Sequence, residues 1–272
     1  MFAPCWGGGH PTGRKVEAMA TLESQQVVFE ACFNFRDLGG YETRDGGRTR
    51  WQTMYRSDTL HRLTRSDEVV FASLAIRTVI DLRSGLEIDD HGRFPFLGRA
   101  AAWHHAPMLD DVKLRLPVEG DAVPARDERV AQNPYMYIVD EFGGSIAATF
   151  KLLAADDALP AVYHCTSGKD RTGIITALML ELLGVPDTTI AADYALTEET
   201  RDRSITWISV HEPELAAFFA RIPPERSSAH PEKILDFLGQ LRTVHGSASR
   251  FLMRLGVSDE EQAALRRRLV EF

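Results

Sequence analysis

The sequence predicts an α/β fold: a central, mostly parallel sheet flanked by helices. Three observations point there. Ala161-Val162-Tyr163 is a short apolar run, long enough for a buried strand. A tight loop follows it, and then Ile174 to Leu183, an apolar run of helical length closed by Gly184 and Pro186. Upstream, Thr78-Val79-Ile80-Asp81-Leu82-Arg83-Ser84 is a β-branched run that dives into a core and emerges at Asp81. The 272 residues are 44% hydrophobic and 26% charged, enough for a sizeable core, and no long linker divides them.

Taken in order, residues 1–30 read as a disordered tail, with Gly7-Gly8-Gly9 and Pro11 and no continuous apolar segment of the signal-peptide kind. Residues 31–272 read as a single domain. Gly39-Gly40 marks a turn, and Asp45-Gly46-Gly47 a hairpin turn from which the chain returns as strand and loop to Asp58. Thr64 is the expected N-cap of a helix running to about Leu74. His91 to Arg129 is irregular, with room for one strand near Ala101 to His105. Adjacent His104 and His105 would face opposite sides of that strand. Tyr135 to Leu153 has one apolar helical face, and Pro186 to Thr200 opens another helix. Glu198 to Arg226 is less regular. Two C-terminal helices are expected, about Pro231 to His245 and Ser258 to Val270, the second behind a Ser258–Glu261 capping box.

Charge and cysteine usage exclude several classes. A net charge of −8 argues against a nucleic-acid partner or an anionic membrane surface. No apolar run reaches transmembrane length. Cys5, Cys32 and Cys165 make no disulfide framework, which suits a reducing, cytoplasmic setting, although secretion without a signal peptide stays open. No histidine or acidic spacing suggests a metal site.

The chemistry concentrates in His164-Cys165-Thr166-Ser167-Gly168-Lys169-Asp170-Arg171-Thr172-Gly173. A short Gly-containing loop between strand and helix can turn successive backbone N–H groups toward one centre. Such a nest binds a tetrahedral oxyanion, and the helix N-terminus adds positive partial charge. A cysteine in that field favours its thiolate form. Arg171 can grip two phosphate oxygens with its planar fork. Cys165 is then a nucleophile aimed at phosphorus.

This decapeptide resembles the signature of the bacterial tyrosine/serine phosphatase family, within the protein-tyrosine-phosphatase superfamily. Further elements resemble the same family: Asn34-Phe35-Arg36-Asp37-Leu38-Gly39-Gly40-Tyr41, Tyr55-Arg56-Ser57-Asp58, Val79-Ile80-Asp81-Leu82-Arg83-Ser84 with Glu87 after it, and Asp193-Tyr194. The likeness runs in pieces from about Phe33 to the end and is most specific in the signature. It implies a protein-tyrosine-phosphatase-like fold with a helical lid at about 198–230; an ordinary packed helical pair is the competing reading there. It implies hydrolysis of phosphomonoesters through a cysteinyl-phosphate, on phosphotyrosine or phosphoserine proteins or phosphoinositides, with no cofactor. A nucleoside or sugar phosphate is the alternative substrate. A rhodanese-like sulfurtransferase and an inactive phosphate-binding module are the alternatives of other classes.

The resemblance and the residues together assign the expected site. Cys165 is the nucleophile and Arg171 the oxyanion clamp. Thr166, Ser167, Gly168 and Lys169 complete the substrate-binding loop, Lys169 adding a second cation. Thr172 supports the thiolate through its hydroxyl, and His164 orients the loop. The general acid is Asp170 or Asp81. Arg36 and Arg56 are expected at the border of the phosphate site, and for Arg36 a structural ion pair with Asp37 is the competing reading.

Overall fold

The computed structural model describes residues 25–95, 101–109 and 133–272. Its main sheet has five strands: β1 (Arg36–Asp37), β3 (Met54–Ser57), β6 (Ala161–His164), β4 (Thr78–Asp81) and β5 (Ala102–His105), in that spatial order. β1 runs antiparallel to β3, and every other pairing is parallel. β2 (Arg48–Thr49) and β7 (Val270–Glu271) make a separate antiparallel pair.

Strand alternation sorts the core into two layers. Tyr55, Val79 and Val162 share one face with Phe29, Phe35, Phe71 and Phe94. Phe71 comes from α1 (Arg65–Ser73), which begins at a Thr64–Asp67 capping box. Met54, Ile80 and Tyr163 share the other face with the larger helical layer. That layer centres on α5 (Asp170–Leu182), nearly all of whose residues from Thr172 onward are buried. Packed around it are α3 (Pro134–Glu141), α4 (Gly143–Ala154), α6 (Asp187–His211), α9 (Pro231–His245), α10 (Ala248–Arg254) and α11 (Asp259–Leu269). α2 (Gly85–His91) follows β4, and α7 (Pro213–Ala220) and α8 (Pro224–Ser227) follow α6.

Several expectations are corrected in detail. Residues 1–24 lie outside the described residues, but 25–30 belong to the domain: Gln25 is buried, its carbonyl accepts from the Asp37 amide, and Phe29 sits in the core. The single helix expected from Tyr135 to Leu153 breaks at Phe142, before the weak helix formers Gly143-Gly144. The helix opening at Pro186 runs on to His211, well into the stretch expected to be irregular. α10 and β7 are additions. Most of the irregular stretch before Arg129 lies outside the described residues.

What positions the site is the carboxyl edge of the sheet. β3, β4 and β6 end in register, with Ser57 and Asp81 both opposite His164. The loops after these strands therefore emerge side by side, where parallel α/β sheets bind ligands.

Candidate active site

Cys165 follows β6 directly and is buried, and α5 starts five residues later at Asp170. The intervening loop is held from outside by its carbonyls. The Thr59 amide donates to the Thr166 carbonyl at 3.2 Å. Asn34 Nδ2 donates to the Ser167 carbonyl at 3.0 Å and the Gly168 carbonyl at 3.3 Å. Arg56 Nη2 donates to the Gly168 carbonyl at 2.7 Å. Carbonyls anchored outward leave the loop amides available to form an anion nest. Gly168 is required there: its φ is +66°, and a Cβ would lie 2.7 Å from both Asn34 Nδ2 and the Ser57 carbonyl oxygen.

The outer shell is a buried charge cluster. Asp193, on α6, receives Arg36 Nε at 2.9 Å and Arg56 Nη1 at 2.5 Å, all three side chains being almost wholly enclosed. Burial pushes the Asp193 carboxyl up, but the Arg36 and Arg56 guanidiniums outweigh it and hold it at about 2. Arg36 also donates to Asn34 Oδ1, and Tyr41 Oη donates to Asp193 at 2.9 Å. Asp58 Oδ1 accepts from the Asn34 amide at 3.1 Å, fixing the turn that lets Asn34 reach the loop. Arg36 and Arg56 thus stand behind the loop, their guanidiniums engaged with Asp193, Asn34 and Gly168, rather than at the border of a phosphate. The expected Arg36–Asp37 pair is replaced: Asp37 instead accepts from the Gly39 and Gln52 amides.

On the inner side, Thr172 Oγ1 donates to Cys165 Sγ at 3.2 Å. The Arg171 guanidinium meets Glu87 through two bonds, Nη1 to Oε2 at 2.5 Å and Nη2 to Oε1 at 2.9 Å. Glu87 also accepts from the Thr166 hydroxyl and the Ser84 amide. Burial would raise the Glu87 carboxyl, but Arg171 holds it at about 2. Glu87 therefore aims the Arg171 fork as a fixed anion. Lys169 is turned away from the loop: its ammonium donates to the Arg226 carbonyl at 2.5 Å and the Ser227 carbonyl at 3.2 Å, and lies 3.3 Å from Asp170 Oδ1.

The two acid candidates differ sharply. Asp81 is fully buried, bonded to the Arg83 amide at 3.1 Å and to Arg83 Nη2 at 2.7 Å, with His164 Nε2 at 3.6 Å. Burial opposes its ionisation, but His164 and Arg83 hold it well below the usual carboxylate range. His164 is itself pushed down by burial and so is neutral at pH 7; Arg83 is the lasting cation. His164 Nδ1 lies 3.3 Å from the Cys165 carbonyl oxygen. Asp170 stands at the first turn of α5, its side chain 40% exposed, beside Ser167 and Lys169 in the wall of a cavity of about 530 Å³. Ile205, Ile208, Phe219 and Ile222, from α6, α7 and the turn after it, supply an apolar part of the lining, beside polar residues such as Glu198, Arg201 and Arg226.

The chain belongs to the tyrosine phosphatase family. The model of that family matches residues 27–271. A triple specificity protein phosphatase, PtpB, of Mycobacterium tuberculosis is 30% identical over 193 residues, 62% of this chain and 68% of the relative. A tyrosine-protein phosphatase of Nostoc commune is 27% identical over 225 residues, 79% of this chain and 73% of the relative. Among solved structures, the Siw14 catalytic core aligns over 72% of this chain and 95% of its own at 13% identity, with a TM-score of 0.36, too low to carry any argument. Family membership makes this protein a cysteine-dependent phosphatase.

Glu87 and the Asp193-Tyr194 pair were visible as family-like elements without roles, and Asn34 lay inside another. Tyr135 carried no signal beyond helical spacing. One described group away from the motif, His61, His91 and Glu212, brings three ligand-type atoms within 4.8 Å of one another. Arg62 takes both Glu212 oxygens, at 2.8 and 2.7 Å, and Arg83 faces His61 at 3.2 Å, so the surroundings are already cationic. Among the described residues no helix is long and apolar enough to cross a membrane.

Proposed function

We propose that the protein hydrolyses phosphomonoesters through a cysteinyl-phosphate on Cys165, with phosphotyrosine or phosphoserine proteins or phosphoinositides as substrates. The observation that supports this most is the loop itself: carbonyls tied outward, Cys165 at its base and Arg171 aimed by Glu87. The Cys165 thiolate attacks phosphorus while the ester P–O bond breaks. Amides of Thr166 to Arg171 and the Arg171 fork take the equatorial oxygens, preorganised for the transition state. Asp170 protonates the leaving oxygen. Water then attacks phosphorus, Asp170 takes its proton, and the S–P bond breaks with the departing thiolate supported by Thr172. Asp81 is a poor acid, because its bond to Arg83 keeps it ionised where the reaction needs a proton. A cytoplasmic location suits a nucleophile that must stay reduced.

The apolar residues in the cavity lining, Ile205, Ile208, Phe219 and Ile222, favour substrates whose phosphate sits on an apolar body, such as a tyrosine ring, over sugar phosphates. The test is phosphate release from a panel of phosphotyrosine and phosphoserine peptides, inositides, nucleotides and sugar phosphates. Turnover led by the phosphotyrosine peptide or inositide supports the reading. Turnover confined to nucleotides or sugar phosphates replaces it with the metabolic one.

A further inference from the structure

Behind Asp170 lies a hydroxyl pair that the mechanism above does not use. Tyr135 Oη donates to Asp170 Oδ1 at 2.5 Å, and the Tyr135 and Tyr194 hydroxyls meet at 2.5 Å. Both tyrosines are buried, and their rings pack edge to face at 6.4 Å, with Phe237 edge-on to Tyr135 at 6.1 Å. Each ring is seated by its own element. Asn133 caps α3 by accepting from the Tyr135 and Met136 amides. Tyr194 lies against α5 at Gly173, one turn from Asp170, where a Cβ would fall 3.0 Å from Tyr194 Cδ2. The final glycine of the signature therefore makes room for the ring that completes the pair.

We propose that Tyr135, backed by Tyr194, is a positioning residue that decides which oxygen of Asp170 carries the catalytic proton. This rests on Asp170 as the general acid. Oδ1 accepts from the Tyr135 hydroxyl and has the Lys169 ammonium 3.3 Å away as an ion-pair partner. An oxygen so engaged is the disfavoured place for a proton. Among the described residues Oδ2 has no such donor, so the proton sits there and Oδ2 faces the leaving group. After transfer, the Tyr135 hydroxyl and the neighbouring Lys169 charge hold the carboxylate in place to receive the proton of the attacking water. Burial and the nearby Asp170 push the Tyr135 hydroxyl far up, so it donates a hydrogen bond without ionising. Lys169, whose other bonds go to the carbonyls at the end of α8, could not orient Asp170 alone.

The test compares leaving groups in three variants: Tyr135→Phe, Asp170→Asn and the double variant, each against p-nitrophenyl phosphate and an alkyl phosphate such as phosphoserine. Tyr135→Phe is expected to lower kcat about ten-fold on the alkyl ester, the loss expected for one hydrogen bond to a charged group, and much less on p-nitrophenyl phosphate. KM should change little. The double variant should be no slower than Asp170→Asn, because Tyr135 acts only through Asp170. Tyr194→Phe should show the same leaving-group pattern more weakly, which keeps the test sound if Tyr135→Phe folds poorly. Equal losses on both esters, or losses that multiply in the double variant, overturn the relay while leaving Asp170 as the acid. If Asp170→Asn itself shows no leaving-group dependence, the assignment of the acid fails and the relay with it.

Discussion

The shell behind the phosphate loop and the cover in front of it are built on opposite principles. Behind the loop, Asn34, Arg36, Arg56 and Asp193 are all buried, and apart from Arg56 Nε, which has no partner, their charged groups meet one another or the loop. In front, α7 and α8 have no buried residue, and α6 changes character along its length. Its first half buries Ile190, Ala191, Asp193, Tyr194, Leu196, Thr197 and Thr200; of the rest, only Ile208 is buried. The cover is held by polar side chains: Lys233 donates to the Glu225 and Ser228 carbonyls and Arg201 to the Ser227 hydroxyl. Arg62 grips Glu212 at one end and stacks 5.2 Å from the Trp207 ring; Lys169 holds the α8 carbonyls at the other. Buried charge networks hold one geometry at high cost of disruption, whereas exposed and part-buried bonds around helices with no buried residue suit an element that opens.

The largest effect should come from breaking the shell. Asp193→Asn strands two buried guanidiniums and should cost about 3–5 kcal/mol of stability in chemical denaturation. A loss below ~1 kcal/mol would show that the shell is not what holds the loop. The same carboxylates set the acid behaviour. Asp193 and Glu87 are held at about 2, below the ordinary range of unfolded carboxyls near 4. Their stabilisation is therefore complete above that range and is lost as pH falls through about 2. Stability measured against pH should drop steeply below ~4, and Asp193→Asn should flatten that drop.

A smaller effect is expected from Glu87→Gln. It leaves the fold intact but removes the charge that aims Arg171, so kcat/KM should fall by about 100-fold, in the range seen when a preorganised donor is lost. Unchanged turnover would mean that Arg171 finds its place without Glu87.

The smallest effect should come from the cover. Amide hydrogen exchange should be faster over residues 204–222 than over 172–182 in the unaltered protein. Glu212→Gln should speed the former further while costing less globally than Asp193→Asn, because Glu212 is 19% exposed whereas Asp193 is wholly enclosed. Equal protection of the two segments would make the cover an ordinary packed helical pair.

The sheet and the signature helix were legible because their signals are local. Ala161 to Tyr163 and Thr78 to Asp81 are apolar runs, and the Thr64 and Ser258 capping boxes announce their helices. The family-like pieces around Asn34, Arg56 and Asp193 were legible as pieces. Their convergence on one loop was not, because it depends on pairings across 112 to 163 residues of chain. Arg36 reads in sequence as a phosphate contact or an ion pair with Asp37 for the same reason: its partner Asp193 lies 157 residues away. Tyr135 was hidden because a tyrosine on an apolar helical face looks like core, and only the tertiary fold brings its hydroxyl to Asp170.

The most direct measurement is made on Cys165 itself. Turnover of p-nitrophenyl phosphate is quenched in acid and the peptides are mapped by mass spectrometry, in parallel with Cys165→Ser. The account predicts phosphate on Cys165 in the unaltered protein, and in the Ser variant lost turnover with retained binding of vanadate. Phosphate on another residue, or turnover by Cys165→Ser near the parent rate, would contradict it.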